Sequence, residues 1–209
     1  MAVLRARASG TESGNVLVWG ASGSGLSHLL QATCHAAGAA DRSALFLPLE
    51  QFPDVDPEQI VDGLEHCPLI CIDNLDVICG RSEWEHALFH LFNRARESGA
   101  SLVLSCHRAA TEMPVILPDL RSRLLGCGVW QLPDLSDDDK CEVLRKRAGA
   151  LGMTMDVQIA NYIVHRSSRD MRELMRLLKV LDNQSLRKKR KLSLALVRET
   201  LALEDPDHA

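Results

Sequence analysis

The chain has 209 residues, enough for one medium domain with a small satellite, and its 46% hydrophobic and 25% charged residues exclude a disordered or fibrous protein. A formal net charge of -4 supplies no overall field for a nucleic-acid backbone, so direct DNA binding is not expected. Seven cysteines scattered through apolar runs, with no Cys-x-x-Cys pair, point to reduced and mostly buried thiols rather than a disulfide framework or a zinc ribbon. No apolar run is long enough to span a membrane, and Arg5 and Arg7 interrupt any signal-like start, so a cytoplasmic protein is expected.

Residues 1–14 show no periodicity and read as a flexible leader. Asn15–Trp19 is a short β-branched apolar run that reads as a buried strand. The glycine-rich stretch Gly20–Ser27 follows, and then a helical pattern through Leu29, Leu30, Thr33 and Ala37. Further strands are predicted at Ala44–Leu47, Leu69–Ile72, Leu102–Ser105 and Val129–Leu132. Helices are predicted at Asp56–Leu64, opened by an acidic cap and Pro57, at Glu83–Glu97 before the stop signal Gly99, and at Leu117–Leu125. Strands alternating with helices imply an α/β fold, a parallel sheet covered on both faces, over residues 15–133. No strand is evident beyond Leu132. The capping-box sequence at Ser136–Asp139 starts a helix through Leu144 and Ala148, and further helices are predicted near Asp156–His165, from Asp170, and near Ser193–Leu203. Residues 134–209 are therefore expected to form a small all-α domain.

Gly20-Ala21-Ser22-Gly23-Ser24-Gly25-Leu26-Ser27 matches the phosphate-loop pattern G-x-x-x-x-G-K-[ST] at both glycines and the serine, in the right strand–loop–helix context. Such a loop wraps backbone N–H groups around phosphates, and the helix N-terminus adds its positive dipole end. Leu26 replaces the lysine that neutralises the β- and γ-phosphates. Diphosphate binding through Gly20, Ala21, Ser22, Gly23, Ser24, Gly25, Leu26 and Ser27, with His28 just beyond, is expected to outlast triphosphate hydrolysis. A glycine-rich turn with no ligand is the plain alternative. Asp73 ends the apolar strand Leu69–Ile72, where a carboxylate holds Mg²⁺ directly or through water together with the Ser27 hydroxyl. The following Asn74 cannot act as a base.

These residues, with LICIDNLDVICGRSEWEHALFHLFNRARESG and LSDDDKCEVLRKRA, resemble the AAA+ domain of the bacterial replication initiator DnaA. They are more closely similar to the Hda type, the DnaA-homologous regulators that inactivate it. The resemblance runs from Asn15 nearly to the end of the chain. It implies a P-loop AAA+ sheet followed by a helical lid, bound ADP with Mg²⁺, and a function in restraining replication initiation. It implies that Ser105-Cys106-His107-Arg108 is the sensor 1 segment, where the family usually has Asp at the place of His107. Arg123 matches the arginine finger, acting in trans on ATP held by DnaA, with Arg121 as a neighbouring competitor. Arg172 matches sensor 2, reaching from the lid to the nucleotide. A homo-oligomer is another partnership that this architecture implies. The family's short clamp-binding sequence of Gln and Leu residues is not seen before Asn15, and no DNA-binding helix-turn-helix follows the lid, which favours a regulator over an initiator. The readings from other classes are a self-sufficient ATPase or loader and a non-catalytic adaptor without nucleotide. His86 with His90, His66 with Cys67 and Cys71, and the run Arg187–Lys191 are better read as helix surface, core thiol and solvated charge.

Overall fold

The computed structural model describes residues 2–52, 54–167 and 170–204. The chain divides into two compact units, Met1–Pro133 and Asp134–Ala209.

The first unit carries five strands, β1 (Val16–Trp19), β2 (Ala44–Pro48), β3 (Leu69–Asp73), β4 (Ser101–Cys106) and β5 (Gly128–Gln131). They form one sheet in the order β2-β3-β4-β1-β5, with every neighbouring pair parallel. Alternation along each strand sorts the side chains to two faces. Val16, Val18, Leu69, Cys71 and Val103 pack with Leu26, Leu30 and Ala37 of α2 (Leu26–Gly38). Leu17, Ile70, Ile72, Leu102 and Leu104 face the other way. There they meet Val61 of α3 (Pro57–Val61), Trp84, Leu88 and Leu91 of α4 (Ser82–Ser98), and Leu120 and Leu124 of α5 (Pro118–Leu125). Strands buried on both faces explain why these runs lack polar alternation.

The leader is corrected by the structure, because Ala2–Ser9 is a helix, α1. Leu4 and Ala8, one turn apart, are buried in the cluster that contains Leu26 and Leu30. Arg42 donates to the Arg7 carbonyl, supplying a partner at the end of α1. Two apolar anchors among arginines make too weak a stripe to be read from sequence. The helix expected over Asp56–Leu64 is also shorter. Asp56 accepts from the Glu58 N–H as foreseen, but Asp62 turns extended and the chain resumes only as a short 3₁₀ turn at Leu64–His66.

The second unit holds α6 (Asp137–Ala150), α7 (Val157–Arg166), α8 (Met171–Lys188) and α9 (Leu194–Glu204). The first three open on side-chain caps. Ser136 and Asp139 form the reciprocal capping box, and their hydrogen bonds hold the Asp139 carboxyl below its usual range. Asp156 accepts from the Ile159 N–H, and Asp170 from the Arg172 N–H. Leu144, Ala148, Ile163, Leu174, Leu178, Leu181 and Val197 are buried together as this unit's own core.

Four of the seven thiols are buried, in keeping with the expectation that most are. Cys71, Cys106, Cys127 and Cys141 are buried, no cysteine is in a disulfide, and burial pushes Cys106 and Cys127 up to about 12.

Candidate functional site

The carboxyl end of β1 delivers the chain into the glycine loop. A Cβ on Gly20 would stand 2.8 Å from the Leu132 carbonyl oxygen and 2.9 Å from Ser24 Oγ, so only glycine fits where the loop folds back on the strand end. Gly25, at φ +99°, turns the chain into α2 in a conformation L side chains avoid, and no side chain caps the helix behind it. The N–H groups of the first turn therefore lack a side-chain partner, and they lie at the positive end of the helix dipole. Ser24 Oγ is buried without a hydrogen-bond partner. Ala21, Ser22, Ser27 and His28 are exposed. This loop fits a phosphate group: it offers an uncapped helix N-terminus, an orphaned hydroxyl, and open space around Gly25.

Leu26 departs from that pattern in its side chain alone. It is 3% exposed, packed among Val16, Val18 and Leu30, so it contributes apolar packing to the sheet and only its backbone to the loop. Changing Leu26 to Lys is expected to lower the melting temperature of the nucleotide-free protein, because about 2 kcal/mol of leucine burial is lost and the ammonium must leave the core. ADP should then raise the melting temperature by more than in the unaltered chain, since phosphate gives that ammonium a partner. Scanning fluorimetry with and without ADP reads both effects, and equal ADP shifts in the two proteins would contradict the argument.

Asp73 closes β3 and is 8% exposed. Ser105, on the neighbouring β4, donates to Asp73 Oδ1 at 2.5 Å, and its Oγ accepts from the Asn74 N–H at 2.9 Å. Asn74 sits at φ 61°, tolerable for its short polar side chain, and its Nδ2 donates to Glu50 in the short 3₁₀ turn Leu49–Gln51 that follows β2. The His107 N–H donates to Asp76 at 2.6 Å, while its Nδ1 lies 3.3 Å from the Gly20 carbonyl oxygen. β4 stands between β1 and β3, which puts the strand ends carrying the glycine loop and Asp73 about 10 Å apart. Sequence reading named Asp73 and the glycine loop as candidates. It missed Glu50 and the partnership of Ser105 with Asp73, because both depend on strand neighbours distant in sequence.

Arg123 is half-buried on α5. Its Nη2 donates to Asn93 Oδ1 of α4 at 2.9 Å, and its guanidinium carbon stands 5.9 Å from the Phe89 ring centroid. Arg121 is exposed and donates to the Val115 carbonyl oxygen. The two arginines thus differ: α4 positions the first, while the second staples its own loop. Ile116, Pro118, Arg121, Ser122 and Leu125 line a surface hollow of about 380 Å³ beside them. Arg172 belongs to the second unit, where it begins α8 with its side chain 73% exposed and Nε 3.9 Å from Asp170.

The remaining clusters lie apart from the glycine loop in sequence and have local partners. His86 and His90 are exposed on α4, with His86 bonded to the Ser82 carbonyl and His90 beside Phe89. The Cys67 thiol donates to the Leu69 carbonyl. Lys188, within the basic run, pairs with Glu199. Among the described residues no group of three or more His, Cys, Asp or Glu could hold a metal, and no helix is long and apolar enough to cross a membrane.

A parallel sheet in this strand order, with a glycine loop after β1, an acid ending β3 and a separate helical unit later in the chain, is the architecture of a P-loop AAA+ protein. The chain belongs to the bacterial DnaA ATPase-domain family, whose model matches residues 1–130; the Hda lid-domain model matches residues 137–201. It is thus an AAA+ protein of the DnaA and Hda type, related to replication initiation. Solved structures share the fold. Domain III of the Thermotoga maritima replication initiation protein DnaA is 18% identical, with TM-score 0.81, over 96% of this chain and 88% of that one. AMPPCP-bound DnaA from Aquifex aeolicus is 15% identical, with TM-score 0.76, over 99% of this chain and 64% of that one. The Thermotoga maritima RuvB Holliday junction branch migration motor is 16% identical, with TM-score 0.70, over 97% of this chain and 65% of that one. The chain spans less than two thirds of the two longer proteins.

Proposed function

We propose that this protein regulates bacterial replication initiation by binding ADP with Mg²⁺ and, in that state, promoting hydrolysis of the ATP held by DnaA through Arg123. The observation that carries the reading is a selective loss. The phosphate cradle is intact, while the two groups needed to hydrolyse a bound triphosphate are gone: Leu26 is packed into the sheet and Asn74 stands where a base would be. A backbone cradle suits a diphosphate, which needs less neutralising charge than a triphosphate. In the bound state Gly20–Ser27 would hold the phosphates, and Ser27 and Asp73 would hold Mg²⁺. When bound, the cation neutralises phosphate charge. Arg172 would contact the nucleotide from the lid.

Arg123 suits the other half of the task. Its guanidinium is permanently charged, forked and held by α4, as needed to meet charge developing on a transferring phosphoryl group. The match to the Hda lid supports a regulator over an initiator.

The test mixes DnaA loaded with labelled ATP, clamp-loaded DNA and this chain with or without ADP. Faster release of labelled phosphate is expected only with the ADP-bound chain, together with no steady ATP turnover by the chain alone. An unchanged rate overturns the proposal, and steady turnover by the isolated chain favours an independent ATPase.

A further inference from the structure

Asn74 is satisfied on one side only. Its Nδ2 donates to Glu50 Oε1, whereas its Oδ1 is buried without a partner. The orientation is dictated by Glu50, because a carboxylate only accepts hydrogen bonds and so compels the amide to present its NH₂ group. Turning the amide over would set a carbonyl against a carboxylate. Asn74 itself is 8% exposed, its backbone is fixed by the bond to Ser105, and it directly follows Asp73. The corner where β3 ends therefore offers acceptors: the carboxylate of Asp73 and the carbonyl of Asn74. A phosphate is also an acceptor, so neither oxygen binds it directly. What joins them must be a donor, and a water in the shell of a divalent cation is a strong one.

We propose that Glu50 is a positioning residue for the cation that accompanies the nucleotide, locking the Asn74 amide so that its carbonyl oxygen receives a cation-bound water beside Asp73. The inference rests on the nucleotide-binding reading above. It assigns a role to a residue of the short turn that follows β2, one that contacts neither phosphate nor cation. It also explains how the site holds a nucleotide without hydrolysing it, because an amide carbonyl orients a water but cannot take its proton.

Calorimetric titration with ADP, with and without Mg²⁺, tests the proposal. The quantity read is the Mg²⁺-dependent gain in ADP affinity. Glu50→Ala is expected to reduce that gain about tenfold while ADP affinity in chelator stays within about twofold of the unaltered chain. Asn74→Gly keeps the left-handed backbone and removes the amide, and should lose the gain to the same extent. The double variant should lose no more than either single one, since both act through one oxygen. Glu50→Gln still offers a carbonyl to Nδ2 and should recover most of the gain. Glu50→Ala retaining the full gain, or additive losses in the double variant, overturns the proposal. ADP binding by the unaltered chain that is indifferent to Mg²⁺ also overturns it, leaving the nucleotide reading intact. Absence of ADP binding in both buffers overturns the nucleotide reading itself.

Discussion

Replacing Arg123 with Ala is expected to remove the stimulation of DnaA-bound ATP hydrolysis, a loss on the order of 10³-fold or more in the stimulated rate, while ADP binding by the chain persists. The size follows from the charge an arginine fork neutralises as the phosphoryl group transfers. The specificity follows from the surroundings of α5. Arg123 is oriented by Asn93 and Phe89, and a guanidinium has donors left over after bonding Asn93. Arg121, whose fork is engaged with the Val115 carbonyl, serves as the internal comparison: Arg121→Ala should leave the stimulated rate within about threefold. Arg123→Lys keeps the charge but loses the planar fork and should remain strongly impaired. Single-turnover release of labelled phosphate from ATP-loaded DnaA measures all three. Full stimulation by Arg123→Ala, or its loss in Arg121→Ala instead, would show that Arg123 is not the acting residue.

The second large effect concerns Glu85, a carboxylate with no exposure in the first turn of α4. It accepts from the Gly80 N–H at 2.7 Å, the Ile116 N–H at 2.9 Å and the Leu117 N–H at 2.7 Å. The last two belong to the lead-in of α5, which carries Arg123. Glu85→Gln keeps the shape but turns one acceptor oxygen into a donor facing backbone N–H groups. Loss of these charge-assisted bonds, with buried donors left unpaired, is expected to cost about 3–5 kcal/mol. The first unit should then melt roughly 10 °C lower. Stimulation should fall as well at temperatures where the fold survives, because the α4–α5 pairing that orients Arg123 is loosened. Differential scanning calorimetry checks the first outcome, and a melting temperature within about 2 °C of the unaltered chain would contradict the clasp.

Most of the fold was legible because its signals are local. Each predicted strand lies within one residue of its observed position at either end, since β-branched runs bounded by turns are decided by their own side chains. Ser136, Asp156 and Asp170 were readable as helix starts for the same reason, as each caps a backbone group two or three residues ahead. The site was legible only in part. The glycine loop and Asp73 carry a spacing signature. Glu50, 24 residues from Asn74, and Ser105, 32 residues from Asp73, carry none. Helix α1 escaped notice because its burial depends on α2 and Arg42 rather than on a stripe of its own.

By itself, then, the amino-acid order determined the periodic elements, the caps and a phosphate loop lacking its lysine, since each is an interaction of a residue with its near neighbours in the chain. The tertiary structure decided what those residues touch. It turned Leu26 into the sheet, because an apolar side chain at the start of α2 finds Val16, Val18 and Leu30 beneath it. It set Arg123 on Asn93, clasped α5 to Glu85, and pointed the amide of Asn74 at Glu50. Those pairings arise only where strands and helices remote in sequence are brought side by side, and there a charge or an orphaned oxygen must find its partner across the fold.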